Sequence, residues 1–114
     1  MVDYIPEQGD IIWLTFNPQT GHEQSGRRPA IVLTPSSYNA KVGLGIFCPI
    51  TSKEKGYPFE IKLPSNCSIQ GVILADQIKN LDWRSRSAEF ICTVPQQLLG
   101  EIAQKLKLLL PDSS

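Results

Sequence analysis

Seven short apolar runs, punctuated by glycine and proline, occupy the first 94 residues of the chain and restrict it to a β-rich fold. Ile11-Ile12-Trp13-Leu14-Thr15-Phe16, bounded by Gly9-Asp10 and Asn17-Pro18, is rich in β-branched and aromatic residues, which fit a pleated surface. Ala30-Ile31-Val32-Leu33-Thr34 follows and is closed by Pro35. In Leu44–Ile50, Pro49 suggests an edge strand or a bulge, because it has no N–H for a ladder. Phe59, Ile61 and Leu63 alternate with Glu60 and Lys62, the pattern of a strand wet on one face. Val72–Ala75, Ile78–Leu81 and Phe90–Thr93 complete the series. Strands so short and so closely spaced predict a small antiparallel barrel or curled sheet in place of an α/β layer.

Only the C-terminus breaks this rhythm. From Pro95, Leu98, Leu99, Ile102, Leu106, Leu109 and Leu110 recur at steps of three and four and line one face of a helix. Thr93-Val94-Pro95-Gln96 supplies a capping-box pattern and an early proline, and Pro111 stops the helix. With 114 residues, one domain spanning 1–114 is expected.

Hydrophobic residues make up 41% and charged residues 19%, which excludes an intrinsically disordered chain. Lysine and arginine total 11, as do aspartate and glutamate. Each half of the chain is separately balanced, so any nucleic-acid binding has to come from a local cluster. Met1-Val2-Asp3-Tyr4-Ile5-Pro6 carries neither a basic nor an apolar stretch, so a cytoplasmic protein without a membrane partner is expected. The three cysteines Cys48, Cys67 and Cys92 are widely spaced, and His22 is the only histidine, so neither a metal nor another cofactor is expected. Cys48 and Cys92 lie in apolar runs and read as buried, reduced thiols.

Three polar clusters interrupt the apolar runs. Asn17–Pro29 is long for a loop in a small domain and holds His22, Glu23, Gln24, Arg27 and Arg28. A solvated surface loop is the plain alternative. Thr51-Ser52-Lys53-Glu54-Lys55-Gly56 follows the third run, and Asn80–Arg86 sets Trp83 between charged residues. Basic and aromatic side chains at one end of a small barrel suit single-stranded nucleic acid, through phosphate contacts and base stacking. For Trp83 the alternative is a core anchor.

Gly9-Asp10-Ile11-Ile12-Trp13 and Gly21-His22-Glu23-Gln24-Ser25-Gly26-Arg27-Arg28-Pro29-Ala30 resemble the opening of the MazF/PemK (Kid) toxin endoribonucleases. Lys55-Gly56-Tyr57-Pro58-Phe59-Glu60, Ala75-Asp76-Gln77 and Leu81-Asp82-Trp83-Arg84 continue the resemblance in the same order, from about Tyr4 to Leu110. The resemblance implies a mainly β fold with a C-terminal helix: a small, strongly curled antiparallel barrel of the Src-homology-3-like, CcdB/MazF type, with short helices. It implies a homodimer and metal-independent cleavage of single-stranded RNA, messenger RNA first and ribosomal or transfer RNA as alternatives. It also implies inhibition by a cognate antitoxin with an acidic, flexible C-terminal segment, through which DNA is met indirectly at the operator. The family's catalytic positions fall on Arg28, Thr51 and Glu23, with Ser52 as a second hydroxyl.

Elementary chemistry asks for the same residue types. Cleavage without metal requires the 2′-hydroxyl to attack the adjacent phosphorus, with a base, charge stabilisation for the phosphoryl oxygens, and a proton for the leaving oxygen. With one histidine, a two-histidine solution is impossible within a subunit. Glu23 is a candidate base, with His22 as its competitor. Arg28 suits a fixed fork on the phosphoryl oxygens better than a proton donor, since its pKa exceeds about 12. Arg27, Lys53, Lys55, Lys79, Arg84 and Arg86 are candidate phosphate contacts; Gln24, Asp76, Gln77 and Trp83 are candidates for base contacts or for shaping the groove. Two alternatives are a CcdB-like DNA gyrase poison and a non-catalytic RNA-binding module on the same scaffold. Gyrase poisons end in Trp-Gly-Ile, whereas this chain ends Pro111-Asp112-Ser113-Ser114.

Overall fold

A computed structural model describes residues 4–16 and 26–112. Its elements in chain order are β1 (Asp10–Phe16), β2 (Gly26–Val32), α1 (Ser36–Val42), β3 (Gly45–Thr51), β4 (Glu60–Lys62), β5 (Val72–Leu74), β6 (Lys79–Leu81), β7 (Glu89–Thr93) and α2 (Gln96–Lys107). A short 3-10 turn at Trp83–Ser85 precedes β7. All strand pairs are antiparallel and run in the order β4-β5-β3-β2-β1-β7, with β6 beside β3.

The mainly antiparallel sheet with a C-terminal helix agrees with expectation, but the barrel does not close. Among the described residues, the two end strands β4 and β7 are not paired with each other. The physical reason is α2: Leu98 and Ile102 share a core cluster with Ile61 and Leu63, and Ile91 and Cys92 of β7 pack against that cluster. Lys105 of α2 also donates to the carbonyl of Pro58, just before β4.

Strand alternation sorts the core into two layers. Ile11, Ile31, Cys48 and Ile50 face α2, whereas Ile12, Leu14, Phe16, Ala30, Val32 and Phe47 face the other way, onto Trp83. The central strands are therefore covered on both faces, which explains their near-continuous apolar runs. Fully buried Phe16 and Phe47 contribute about 1.5–3 kcal/mol each relative to exposure.

Pro49 lies in a central strand, contrary to the edge its sequence suggests. Ile46 turns both backbone groups toward the β2 side: its carbonyl accepts from Leu33 N at 2.9 Å and its N–H donates to Thr34 Oγ1 at 3.0 Å. Alternation then points the Pro49 nitrogen to the opposite side. There β6 reaches only to Phe47↔Lys79 and β5 begins at Ile50↔Ile73, so no ladder N–H is missed.

Helix α1 has no apolar periodicity in the sequence. It begins after Pro35 and ends where Gly43, at φ 80, donates its N–H to Asn39 O. Asn39 is fully buried because its amide donates to Pro6 O (2.8 Å) and Thr34 O (3.0 Å) while its Oδ1 accepts from Thr34 Oγ1 (2.6 Å). At α2 the capping box is not formed: Pro95 is the N-cap residue and no side chain caps the first turn.

The reading of Cys92 as a reduced thiol is overturned. The β4–β5 connection folds back beside β7, bringing the Cα atoms of Cys67 and Cys92 to 6.3 Å, and the two sulfurs form a disulfide. Cys48 is buried and free, as expected. Its thiol is pushed up to about 12 by burial and, secondarily, by the charge of Asp76.

Candidate active site

Strand β2 starts at Gly26, so Arg27 and Arg28 sit on a strand and not in the long loop the sequence suggests. Their positions on that strand separate them. Ala30↔Pro49, Ile31↔Cys48 and Val32↔Phe47 define the β2–β3 register, and continuing it by two residues sets Arg28 opposite Thr51. Arg28 shares its strand face with Ala30 and Val32, and Thr51 shares its face with Phe47, so both side chains lie on the Trp83 side of the sheet.

Arg27 takes the other face. It is paired in register with Thr15, donates to Thr15 Oγ1 at 3.4 Å and bridges to Glu89 at 3.1 Å. Its engagement is therefore with β1 and β7, away from Arg28 and Thr51.

Thr51 is buried at the end of β3, and its Oγ1 accepts from Lys53 N at 3.2 Å. A hydroxyl that accepts in this way keeps its own proton as a donor. Sequence reasoning missed Gly71. It adopts φ +144, and a Cβ built on it would lie 2.5 Å from Thr51 O and 3.1 Å from Thr51 C. The chain passes the Thr51 backbone at a distance only glycine allows. In the sequence, this glycine is indistinguishable from ordinary punctuation before an apolar run.

Beyond Thr51, the exposed Ser52, Lys53 and Lys55 lie on the β3–β4 connection. Glu60 shapes that connection: its carboxylate accepts from Lys55 N at 3.1 Å and from Gly56 N at 3.1 Å. Tyr57, also exposed, donates its hydroxyl to Asp76 Oδ2 at 2.7 Å. This bond, with lesser contributions from desolvation and the Asp76 charge, raises the Tyr57 hydroxyl above its ordinary pKa. Asp76 Oδ1 is buried without a hydrogen-bond partner among the described residues, and Gln77 follows in the turn closed by its N–H on Leu74 O at 3.1 Å. Sequence reasoning singled out neither Tyr57 nor Glu60 as a site residue. Lys79 is the β6 residue opposite Phe47.

The third cluster needs correction. Trp83 is 4% exposed, packs in the second core layer, and donates its indole N–H to Asn39 O at 3.1 Å. It is a core anchor and its ring is not open to a base. Arg84 lies over that ring at 4.9 Å and donates to Ala40 O at 2.8 Å, satisfying a carbonyl near the end of α1. Arg86 donates to Thr15 O at 3.0 Å. These two arginines fasten the 3-10 turn to α1 and β1. His22, Glu23 and Gln24 lie outside the described residues; they belong to the connection between Phe16 and Gly26, which face each other across the β1–β2 ladder.

The candidate site is thus Arg28 on β2 and Thr51 on β3, both on the Trp83 side of the sheet just beyond the last β2–β3 pair, bordered by a lysine-bearing connection and the Tyr57–Asp76 pair. Known proteins share both chain and fold. The Escherichia coli (strain K12) endoribonuclease toxin MazF is 46% identical over 107 residues, which cover 94% of this chain and 96% of that protein. The crystal structure of MazF (Form-I) from Deinococcus radiodurans superposes with a TM-score of 0.89 at 52% identity, covering 94% of this chain and 97% of that one. A MazE-MazF crystal structure (Form-II) from the same organism gives a TM-score of 0.87 at 52% identity over 97% of this chain and all of that one. Residues 7–110 match the family model described as PemK-like, MazF-like toxin of type II toxin-antitoxin system, and the chain belongs to that family.

Proposed function

We propose that this chain, an endoribonuclease toxin of a type II toxin–antitoxin system, cleaves single-stranded RNA at a short sequence without metal. The 2′-hydroxyl attacks the adjacent phosphorus, giving a cyclic phosphate and a 5′-hydroxyl, and translation and growth stop as messenger RNA is cut. The observation that carries this reading is the placement of Arg28 and Thr51 on one face, opposite each other in the continued β2–β3 register. The Arg28 guanidinium forks onto the non-bridging phosphoryl oxygens, where negative charge grows in the transition state. The Thr51 hydroxyl donates to the same oxygens. Glu23 takes the 2′-hydroxyl proton, with His22 as its competitor for that role. Lys53 and Lys55 hold flanking phosphates, and exposed Tyr57 offers a ring for base stacking.

The partner is a cognate antitoxin whose acidic, flexible C-terminal segment occupies the RNA groove and which carries the complex to operator DNA. Co-structures of relatives with MazE support the antitoxin as partner. The reading includes a homodimer, and an apolar groove of about 400 Å³ between α2 and the sheet, lined by Leu33, Ile46, Leu99 and Leu106 and by Ile78, which is 40% exposed, is a surface open to a partner. A two-fold pair would place two copies of the basic connections together on a chain that is neutral overall. No helix among the described residues is long and apolar enough to cross a membrane, and the cytoplasm is the proposed location.

The test uses the purified protein and Arg28→Ala on a long single-stranded RNA in excess EDTA, with cut sites and end chemistry mapped. Discrete cuts at one short motif with 5′-hydroxyl ends, and none from the variant, are expected. Absence of cleavage by the wild type would overturn the reading.

A further inference from the structure

Cys67 sits within the β4–β5 connection, and Cys92 in β7 is paired in register with Ile11. Their disulfide spans 25 positions and is the covalent tie between this connection and the sheet edge. Both residues are half-buried against the α2 core layer, and Asn66 and Ser68, flanking Cys67, are exposed. A small thiol or disulfide in solution can reach this pair, whereas fully buried Cys48 is shielded.

The connection leads directly to the candidate site. Leu63 N donates to Gly71 O at 3.1 Å, closing the segment 63–71 at its base, while Cys67 N donates to Pro64 O in a turn at its start. At that base Gly71 presses against the backbone of Thr51, so closely that a Cβ would stand 2.5 Å from the Thr51 carbonyl oxygen. Among the described residues, buried Leu63 at its start, Ile69 packed on the core layer and the Leu63–Gly71 bond tie the segment besides the disulfide, and between Pro64 and Gln70 only Cys67 and Ile69 pack on that layer. A segment with so few anchors opens locally at low free energy once its cross-link is removed.

We propose that the Cys67–Cys92 pair is a redox-responsive staple of the RNA-cleaving site. Oxidised, it clamps segment 63–71 to β7 and holds Gly71 and Thr51 in place. Reduced, it lets the segment loosen, and the Thr51 hydroxyl loses its fixed position opposite Arg28. The staple closes by exchange with a small-molecule disulfide such as glutathione disulfide. One chain thiolate attacks the small disulfide, forming a mixed disulfide and releasing one small thiolate; the second chain thiolate then displaces the other. The two chain thiols lose two electrons and two protons, and the small disulfide becomes two thiols. Excess small thiol drives the reverse. The proposal rests on the placement of Thr51 in the cleavage site, and the experiment separates the two.

The full-length protein is equilibrated in glutathione buffers from fully reduced to mostly disulfide. Alkylation of the thiols with mass spectrometry, hydrogen exchange of the 63–72 amides and initial rates of RNA cleavage are measured on the same samples. Expected are loss of alkylation at Cys67 and Cys92 together, about tenfold slower exchange of 63–72 on oxidation, and cleavage about three- to tenfold faster in the oxidised state. Cys67→Ser should exchange and cleave like the reduced wild type in every buffer. A pair that stays reduced or stops at the glutathione adduct overturns the proposal. So does a disulfide that forms without changing the exchange or the cleavage rate. If the exchange follows the redox ratio but RNA is uncut in every buffer, the assignment of Thr51 to RNA cleavage falls and the staple itself stands.

Discussion

Replacing Gly71 by alanine isolates the closest approach in the candidate site. The added Cβ would lie 2.5 Å from Thr51 O, about 0.9 Å inside the 3.4 Å at which ordinary contact begins. The obstructing atoms are backbone on both sides, so no rotamer change relieves the overlap. The strand end carrying Thr51, the β5 start, or both must move by most of that distance. A displacement near 1 Å at a positioned catalytic group costs on the order of 10²-fold in rate. The φ of +144 adds conformational strain of about 1–3 kcal/mol for any residue with a side chain. Gly71→Ala should therefore lose about 10²-fold in kcat for RNA cleavage, with KM little changed because the lysine-bearing connection is untouched. Its urea midpoint should fall by an amount that still leaves a folded protein. Gly56→Ala separates strain from overlap: φ is +76 there, but nothing lies within 4 Å of the added Cβ. That variant should lose stability with far less effect on kcat. A Gly71→Ala protein cleaving at the wild-type rate would refute the inference that Gly71 sets the position of Thr51.

Arg28→Ala should lose about 10²–10³ in cleavage rate, as removal of an oxyanion donor does. Arg27→Ala, which breaks an exposed bridge to Glu89 on the other strand face, should cost at most about 1 kcal/mol in stability and leave the rate near wild type; equal losses in the two would refute the facing assignment. Trp83→Phe removes the indole donor from Asn39 O, which keeps the Gly43 N–H, and should cost about 0.5–1.5 kcal/mol by urea unfolding for the lost bond, while cleavage per folded molecule stays within about twofold; a larger loss of cleavage than of stability would return Trp83 to the RNA groove. Cys48 has its pKa raised from 9.0 to about 12 in the fold. Between those values the unfolded chain releases this proton and the folded chain keeps it, so stability is whole below pH 9 and declines as pH rises toward 12. Tyr4 and Tyr57, also raised, add to the decline from pH 10 upward. A Cys48→Val protein should show a flatter stability profile between pH 9 and 10, and an unchanged slope would refute the burial argument. Reducing the Cys67–Cys92 bond across its 25-position separation should destabilise by about 3.5 kcal/mol from chain entropy, read as a lower urea midpoint in reductant that Cys67→Ser does not show.

Local pattern determined the strands and the long helix. Their signals are periodicities of two and of three to four, which a short window contains, so β1, β3, β5 and α2 stand within a few residues of where apolar runs place them. Candidate residue types for the proposed cleavage could also be named from the sequence, because an arginine fork and a hydroxyl beside a phosphate are what that reaction asks for. Tertiary structure alone decided how they are deployed. Arg27 and Arg28 are neighbours in sequence, yet the pleat sends them to opposite faces, and which face meets Thr51 depends on the β2–β3 register. Trp83 looks like a stacking residue among charges until α1, which has no apolar period, sets Asn39 O to accept its indole N–H. Arg84 and Arg86 become fasteners of the same turn. The disulfide, the close approach at Gly71 and the open sheet all depend on where segment 63–71 and α2 come to rest. These are contacts between residues far apart in the chain, and no local window carries the free energy that selects them.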